Sequence, residues 1–222
     1  MKTFDLDERL VYYSEAEELV NRWTHGIGAV VSIIGVVALI VLAAGQHDSY
    51  RMVSACIYGA SMIIFYCIST AYHSVRKPYV RYVFRILDHA SIYLMIAGSY
   101  TPFALVTLRG PWGWSLLGTV WGLGAFGAGM KFSTTHRLPH IGPLLYIALG
   151  WIGVIAFKPL CAALALNGIY LLFAGGAAYT LGVIFYLWDR IPYNHAIWHL
   201  FVLAGSACHF FAIYYYVVPL PV

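Results

Sequence analysis

Two histidines four residues apart, His195 and His199 in NHAIWHLF, stand at the mouth of a hydrophobic segment. On a helix such a pair shares one face, so both imidazoles can converge on a single ion. A third histidine, His73, closes the apolar run SMIIFYCISTAYH, with Ser69 one helical turn before it. Asp88 opens the next apolar run, in ILDHASIYL. Polar and ionisable groups at membrane depth are costly, which makes each of these a candidate for function. Zinc in a catalytic site takes three protein ligands and leaves a fourth position for water. His73, His195 and His199 offer three neutral nitrogens of that kind. Water on such a metal sheds protons near neutral pH. Asp88 could hold or accept that proton, and Ser69 could hydrogen-bond to the water or to Asp88. The competing reading is that these groups only hydrogen-bond between helices.

The elements that must position them are membrane helices. Of the 222 residues, 61% are hydrophobic and only 10% are charged, against roughly a quarter charged in a soluble domain. Apolar stretches near the ~20 residues needed to cross a bilayer recur along the chain. They fall near 24–44, 52–73, 86–108, 112–131, 141–157, 167–188 and 195–217. The fold class expected is therefore all-α, an integral membrane bundle of seven transmembrane helices. Residues 1–23 form a leader with a short interfacial helix, and 24–222 the seven-helix domain. Within the leader, Ser14 and Glu17 match a capping box that starts a helix running into the first span. The leader lacks the basic start of a signal peptide, so the first apolar segment is expected to stay as an anchor. KPLCAALAL (158–166) reads either as a short interfacial turn or as the leading part of the sixth span.

Basic residues give the direction. Lys2, Arg9, Arg22, Arg76, Lys77, Arg81, Arg85, Lys131, Arg137 and Arg190 lie on one side, and only Arg51, Arg109 and Lys158 on the other. The positive-inside rule then places the N-terminus in the cytoplasm and, after seven spans, the C-terminus outside. In that topology His73, Asp88, His195 and His199 all lie near the inner interface. The basic residues form no run that would track nucleic-acid phosphates, despite the net charge of +4.

Other candidates read differently. His25 shares a helical face with Glu18 and Asn21 and is expected to pack at the same inner mouth. His89 points about 100° away from Asp88 on a helix. His136 and His140 have the right spacing, but Pro139 interrupts them. His209 lies about 15 Å beyond His199 along a helix, where an interhelical hydrogen bond is its expected role. Cys56, Cys67, Cys161 and Cys208 show no CxxC spacing and read as small buried hydrophobes. GLGAFG (122–127) has dinucleotide-motif letters but no preceding strand, so close helix packing is the better account.

The SxxxH ending the second span, the Asp opening the third and the HxxxH of the seventh resemble the hemolysin III group. EELVNRWTHGIG, DHASIYLMIAGSYTPF and RIPYNHAIWHLFVLAGSACHF add to the resemblance, which covers nearly the whole chain. That group is the bacterial branch of the progestin and adipoQ receptor family, within the CREST superfamily that also contains alkaline ceramidases. The resemblance implies seven spans with a cytoplasmic N-terminus and a Zn2+ ion held by His73, His195 and His199. By position, Asp88 matches the acidic group near the metal water and Ser69 the motif serine. It implies a multi-pass protein of the cell membrane, in a bacterium the inner membrane, whose partner is membrane lipid. Two functions remain open: a zinc hydrolase of a lipid amide or ester, or a non-enzymatic receptor or pore-forming cytolysin with structural zinc.

Overall fold

The computed structural model describes residues 9–134 and 141–220. Lys2, His136, Arg137, Pro139 and His140 lie outside the described residues. Every regular element among the described residues is helical. The helices are α1 (Glu15–Ala44), α2 (Ser49–Tyr72), α3 (Pro78–Pro102), α4 (Pro111–Thr134), α5 (Ile141–Trp151), α6 (Phe157–Ala163), α7 (Leu166–Tyr186) and α8 (Asn194–Tyr216). Six stretches are long and apolar enough to cross a membrane, and α4 is the seventh helix of the bundle.

Each start has a local cause. Ser14 and Glu17 form the reciprocal capping box at α1, which runs without a break from Glu15 to Ala44. Asp48 caps α2 by accepting from the Tyr50 amide at 2.9 Å. Pro78 occupies the first turn of α3, where its missing N–H costs nothing. Gly110, at φ +117°, makes the sharp turn into α4, a conformation open to glycine. Near the far end of α3, Pro102 cannot donate to the ladder. The helix loosens there into a π turn, Phe103–Thr107, closed by Leu108 N–H on the Phe103 carbonyl.

Two boundaries differ from the hydropathy reading. The third span begins at Pro78 rather than 86, so Asp88 sits inside the helix and not at its opening. Its first turns look polar, yet Arg81 and Arg85 are buried and face inward. Of 158–166, residues 158–163 form neither an interfacial turn nor the start of the sixth span, and only Leu166 belongs to the next helix. A 3-10 segment, Ile152–Ala156, joins α5 to α6, and together they make one span, Ile141–Ala163.

The helices close a ring: α1 packs on α2 and α8, α3 on α2 and α4, α5 on α3 and α7, and α7 on α8. Small residues permit the close approaches. A methyl at Gly59 would strike Val36, and one at Gly98 would strike Ser61. In GLGAFG, Gly124 and Gly127 face α3 at Ala97 and Tyr93, whereas Gly122 meets nothing. The cysteines correct the sequence reading. All four are free, and Cys56, Cys67 and Cys161 face outward from the bundle. In a bilayer the outer surface is as apolar as the core, so hydropathy cannot tell one from the other.

Candidate metal centre

His73 lies at the C-terminal cap of α2, and His195 and His199 lie in the first turns of α8. The turn before α8 is held in place by α1. Tyr193 adopts a left-handed conformation, φ 58°, and donates its N–H to Glu17 Oε1 at 3.1 Å. Asn194 Oδ1 accepts from the His195 amide at 2.8 Å. The capping glutamate of α1 thus also contacts the turn from which the two α8 histidines follow.

All three histidines are buried, and each offers one nitrogen within 4.8 Å of the other two. For His73 and His199, hydrogen bonds indicate which nitrogen that is. His73 Nδ1 lies 2.7 Å from Glu18 Oε2. A carboxylate only accepts, so Nδ1 carries the proton and Nε2 keeps its lone pair. His199 Nδ1 lies 3.0 Å from Thr24 Oγ1, whose own proton points to the Val20 and Asn21 carbonyls. The Thr24 oxygen therefore accepts, and His199 too is left with an Nε2 lone pair. His73 Nε2 and both nitrogens of His195 are buried without a hydrogen-bond partner. Buried polar atoms are paired in the great majority of cases. Orphaned imidazole lone pairs facing one another are the donor set of a soft or borderline divalent cation, and an N–H held by a carboxylate is the usual support for a metal-binding histidine. The residues present fit zinc.

Around this cluster, Ser69, Asp88, His25, His89, His195 and His199 line one cavity. Asp88 is 8% exposed, with the Ser69 hydroxyl as a close polar neighbour of its carboxylate. His25 stacks on His199 with ring centroids 3.5 Å apart. His89 reaches the same cavity but gives Nδ1 to the Arg85 carbonyl at 2.8 Å. His209 is elsewhere, with Nε2 on the Leu172 carbonyl of α7 at 3.2 Å, the interhelical bond expected of it.

Three residues at the site have no role in the sequence reading: Glu18, Thr24 and Tyr13. Glu18 also binds Arg81, which reaches on to the Val11 carbonyl. Tyr13 stacks on His195 at 5.0 Å, so the segment before α1 lies directly over the histidines. Burial pushes the Tyr13 phenol well above its ordinary pKa. A signal for Glu18 was present, since it shares a helical face with Asn21 and His25. Nothing local pointed to Thr24 or Tyr13.

Known proteins resemble this one along most of its length. Residues 13–210 match the family model described as Haemolysin-III related. Hemolysin-3 of Bacillus cereus is 48% identical over 203 residues, covering 91% of this chain and 93% of that protein. The Hemolysin-3 homolog of Bacillus subtilis (strain 168) is 44% identical over 205 residues, 92% of this chain and 96% of the other. The monocyte to macrophage differentiation factor of Homo sapiens is 31% identical over 214 residues, 92% and 86% of the two chains.

Proposed function

This chain belongs to the Haemolysin-III related family of multi-pass membrane proteins, and we propose that it is a zinc-dependent hydrolase of a lipid amide or ester. The observation that carries the reading is the set of orphaned lone pairs on His73 and His195 beside a cavity lined by Asp88 and Ser69. His73, His195 and His199 would hold the ion. Bound there, zinc supplies Lewis acidity, which makes water a nucleophile source near neutral pH.

The rest of the chemistry falls to the chain. Glu18 and Thr24 fix the tautomers of His73 and His199 by accepting hydrogen bonds from their Nδ1–H groups. Asp88 takes a proton from the attacking water onto a carboxylate oxygen. As the water oxygen joins the acyl carbon and the C–N or C–O bond breaks, Asp88 returns the proton to the leaving atom. The Ser69 hydroxyl donates to the carbonyl oxygen as charge builds there. Tyr13, closing over His195, limits entry of bulk water. A lipid fits the site because its cavity shares Phe65, Ile92, Val183 and Trp198 with a second, carbon-lined cavity deeper in the bundle.

The name Hemolysin-3 carried by a relative raises a pore as the second reading. A pore needs a polar stripe from face to face. Beyond the histidines, α8 buries Val202, Gly205, Ala212 and Ile213, and its buried Ser206 is closed off by Tyr66 and Tyr179. The asymmetry of basic residues supports a cytoplasmic position for the histidine mouth. A reporter inserted in the 74–77 turn should read cytoplasm, and an exterior reading would reverse the assignment. The chemical test is Asp88→Ala in purified protein in liposomes. Wild type should release fatty acid from a ceramide-like or ester lipid. The variant should keep its zinc and lose that activity by at least about 100-fold. Zinc-independent conductance with no turnover across a broad lipid panel would favour the pore.

A further inference from the structure

The cavity at the histidines shares wall residues with a second, and the second with a third. The last two share Ser99, Tyr100, Gly150, Trp151, Gly176 and His209. A hydrocarbon lying along all three would run between α3, α5, α7 and α8. The hydroxyls along it are already committed. Ser99 donates to the Ile96 carbonyl, Tyr100 to Gly150, Thr180 to Gly176 and Tyr146 to His89. Trp151 Nε1 donates to Thr180 Oγ1, and Tyr179 pairs with Ser206.

His209 is the exception. Its Nε2 faces the Leu172 carbonyl, which only accepts, so the ring proton is on Nε2 and Nδ1 is a bare acceptor. Nδ1 is buried, and of the side-chain atoms on the two deeper cavities it is the one left without a hydrogen bond among the described residues. The Nε2–Cδ2 edge abuts Gly175 of α7, which turns the Nδ1 edge away from that helix. An acceptor stranded in a carbon-lined space is costly unless a donor reaches it.

We propose that His209 recognises a hydroxyl carried on the hydrocarbon chain of the lipid, which makes the substrate class a hydroxylated acyl lipid. The inference rests on the reading of the histidine cluster as a lipid-cleaving centre. Only a donor without charge suits such surroundings, and a hydroxyl is the donor that an otherwise apolar chain can bring. Position follows from the helix. His209 lies ten residues beyond His199, about 15 Å along α8. With its carbonyl at Asp88 and Ser69, the chain would present a hydroxyl well down its length and not beside the carbonyl.

The test uses the full chain, purified, and three probes: octadecanoate, octadecanoate with a mid-chain hydroxyl, and octadecanoate hydroxylated next to the carboxylate. The mid-chain alcohol should bind about tenfold more tightly than the plain acid, and the other alcohol should gain nothing. His209→Phe should abolish that preference while leaving the plain acid bound. Equal affinities in wild type overturn the inference, whether or not the variant folds, and would mean that water satisfies Nδ1. A preference that survives in His209→Phe overturns it as well. The two readings fail separately. Turnover of plain acyl lipids with no hydroxyl preference removes the role of His209 and leaves the hydrolase. A hydroxyl preference in binding, with no turnover of any hydroxylated lipid, removes the hydrolase and leaves the binding site.

Discussion

Where α1 turns into α2, Arg51 is buried and donates to the carbonyls of Val217, Val218 and Pro219 at 2.6–2.7 Å. Asp48 beside it accepts from the Tyr50 amide and from Arg109, both at 2.9 Å, and lies 3.6 Å from Arg51 Nε. At the opposite end, His25, His73 and His195 bury five nitrogens that have no hydrogen-bond partner among the described residues. Both clusters are polar and enclosed, and both tie the end of one helix to another. Their difference lies in completion. Apart from Arg51 Nε, which has only the Asp48 carboxylate at 3.6 Å beside it, the Arg51 cluster is paired within the protein and clamps the backbone just past α8, as a structural network must if it is not to cost much stability. The histidine cluster has the N–H groups of His73 and His199 anchored, while both nitrogens of His25 and His195 and the Nε2 of His73 stay open, which fits the proposed ion site.

The sharpest way to break this contrast is to remove ligands at one end and the clamp at the other. His195→Ala with His199→Ala should reduce bound zinc from a single ion per chain to none, because one imidazole cannot anchor it. Metal analysis of the purified protein decides this, and full occupancy in the double variant would end the assignment. Arg51→Met should do the reverse. It strips the charged donor from three carbonyls and should cost about 2 kcal/mol of stability, with zinc per folded chain unchanged. Thermal unfolding beside metal analysis reads both. Loss of zinc in Arg51→Met would mean that the ends are coupled and the contrast is false.

What could be read from sequence follows the range of the interactions. The capping box at Ser14 and Glu17 is local, and it was legible. The gathering of His73, His195 and His199 was legible because i, i+4 geometry and the sidedness of Lys and Arg do not need contacts to be known. Counting basic residues also concealed something, since Arg81 and Arg85 served as markers of the inner side yet are buried and bonded inward. Thr24 meets His199 across 175 positions, and Glu18 meets His73 across 55, so neither partnership has a local pattern. Hydropathy likewise cannot see the 3-10 segment that carries the fifth span on to Ala163.

A smaller effect tests how the histidine end is held. Glu18 places one carboxylate oxygen on His73 Nδ1 and the other on Arg81, so it ties the histidine cluster to α1 and α1 to α3 together. Glu18→Gln keeps one accepting oxygen and replaces the other with an NH2 group. If the oxygen stays with His73, the amide must face Arg81, donor against donor. If it stays with Arg81, His73 loses the acceptor that fixes its tautomer. The side chain cannot satisfy both, so zinc affinity should fall by about tenfold without being abolished, and Glu18→Ala should fall further. A merely structural role predicts another pattern: equal destabilisation of metal-free and metal-loaded protein, with the zinc dissociation constant unmoved. Metal competition titration, run alongside unfolding of both forms, separates the two. A Glu18→Gln protein that binds zinc as tightly as wild type would show that His73 needs no carboxylate, and that Glu18 belongs with Arg51 as a clamp between helices.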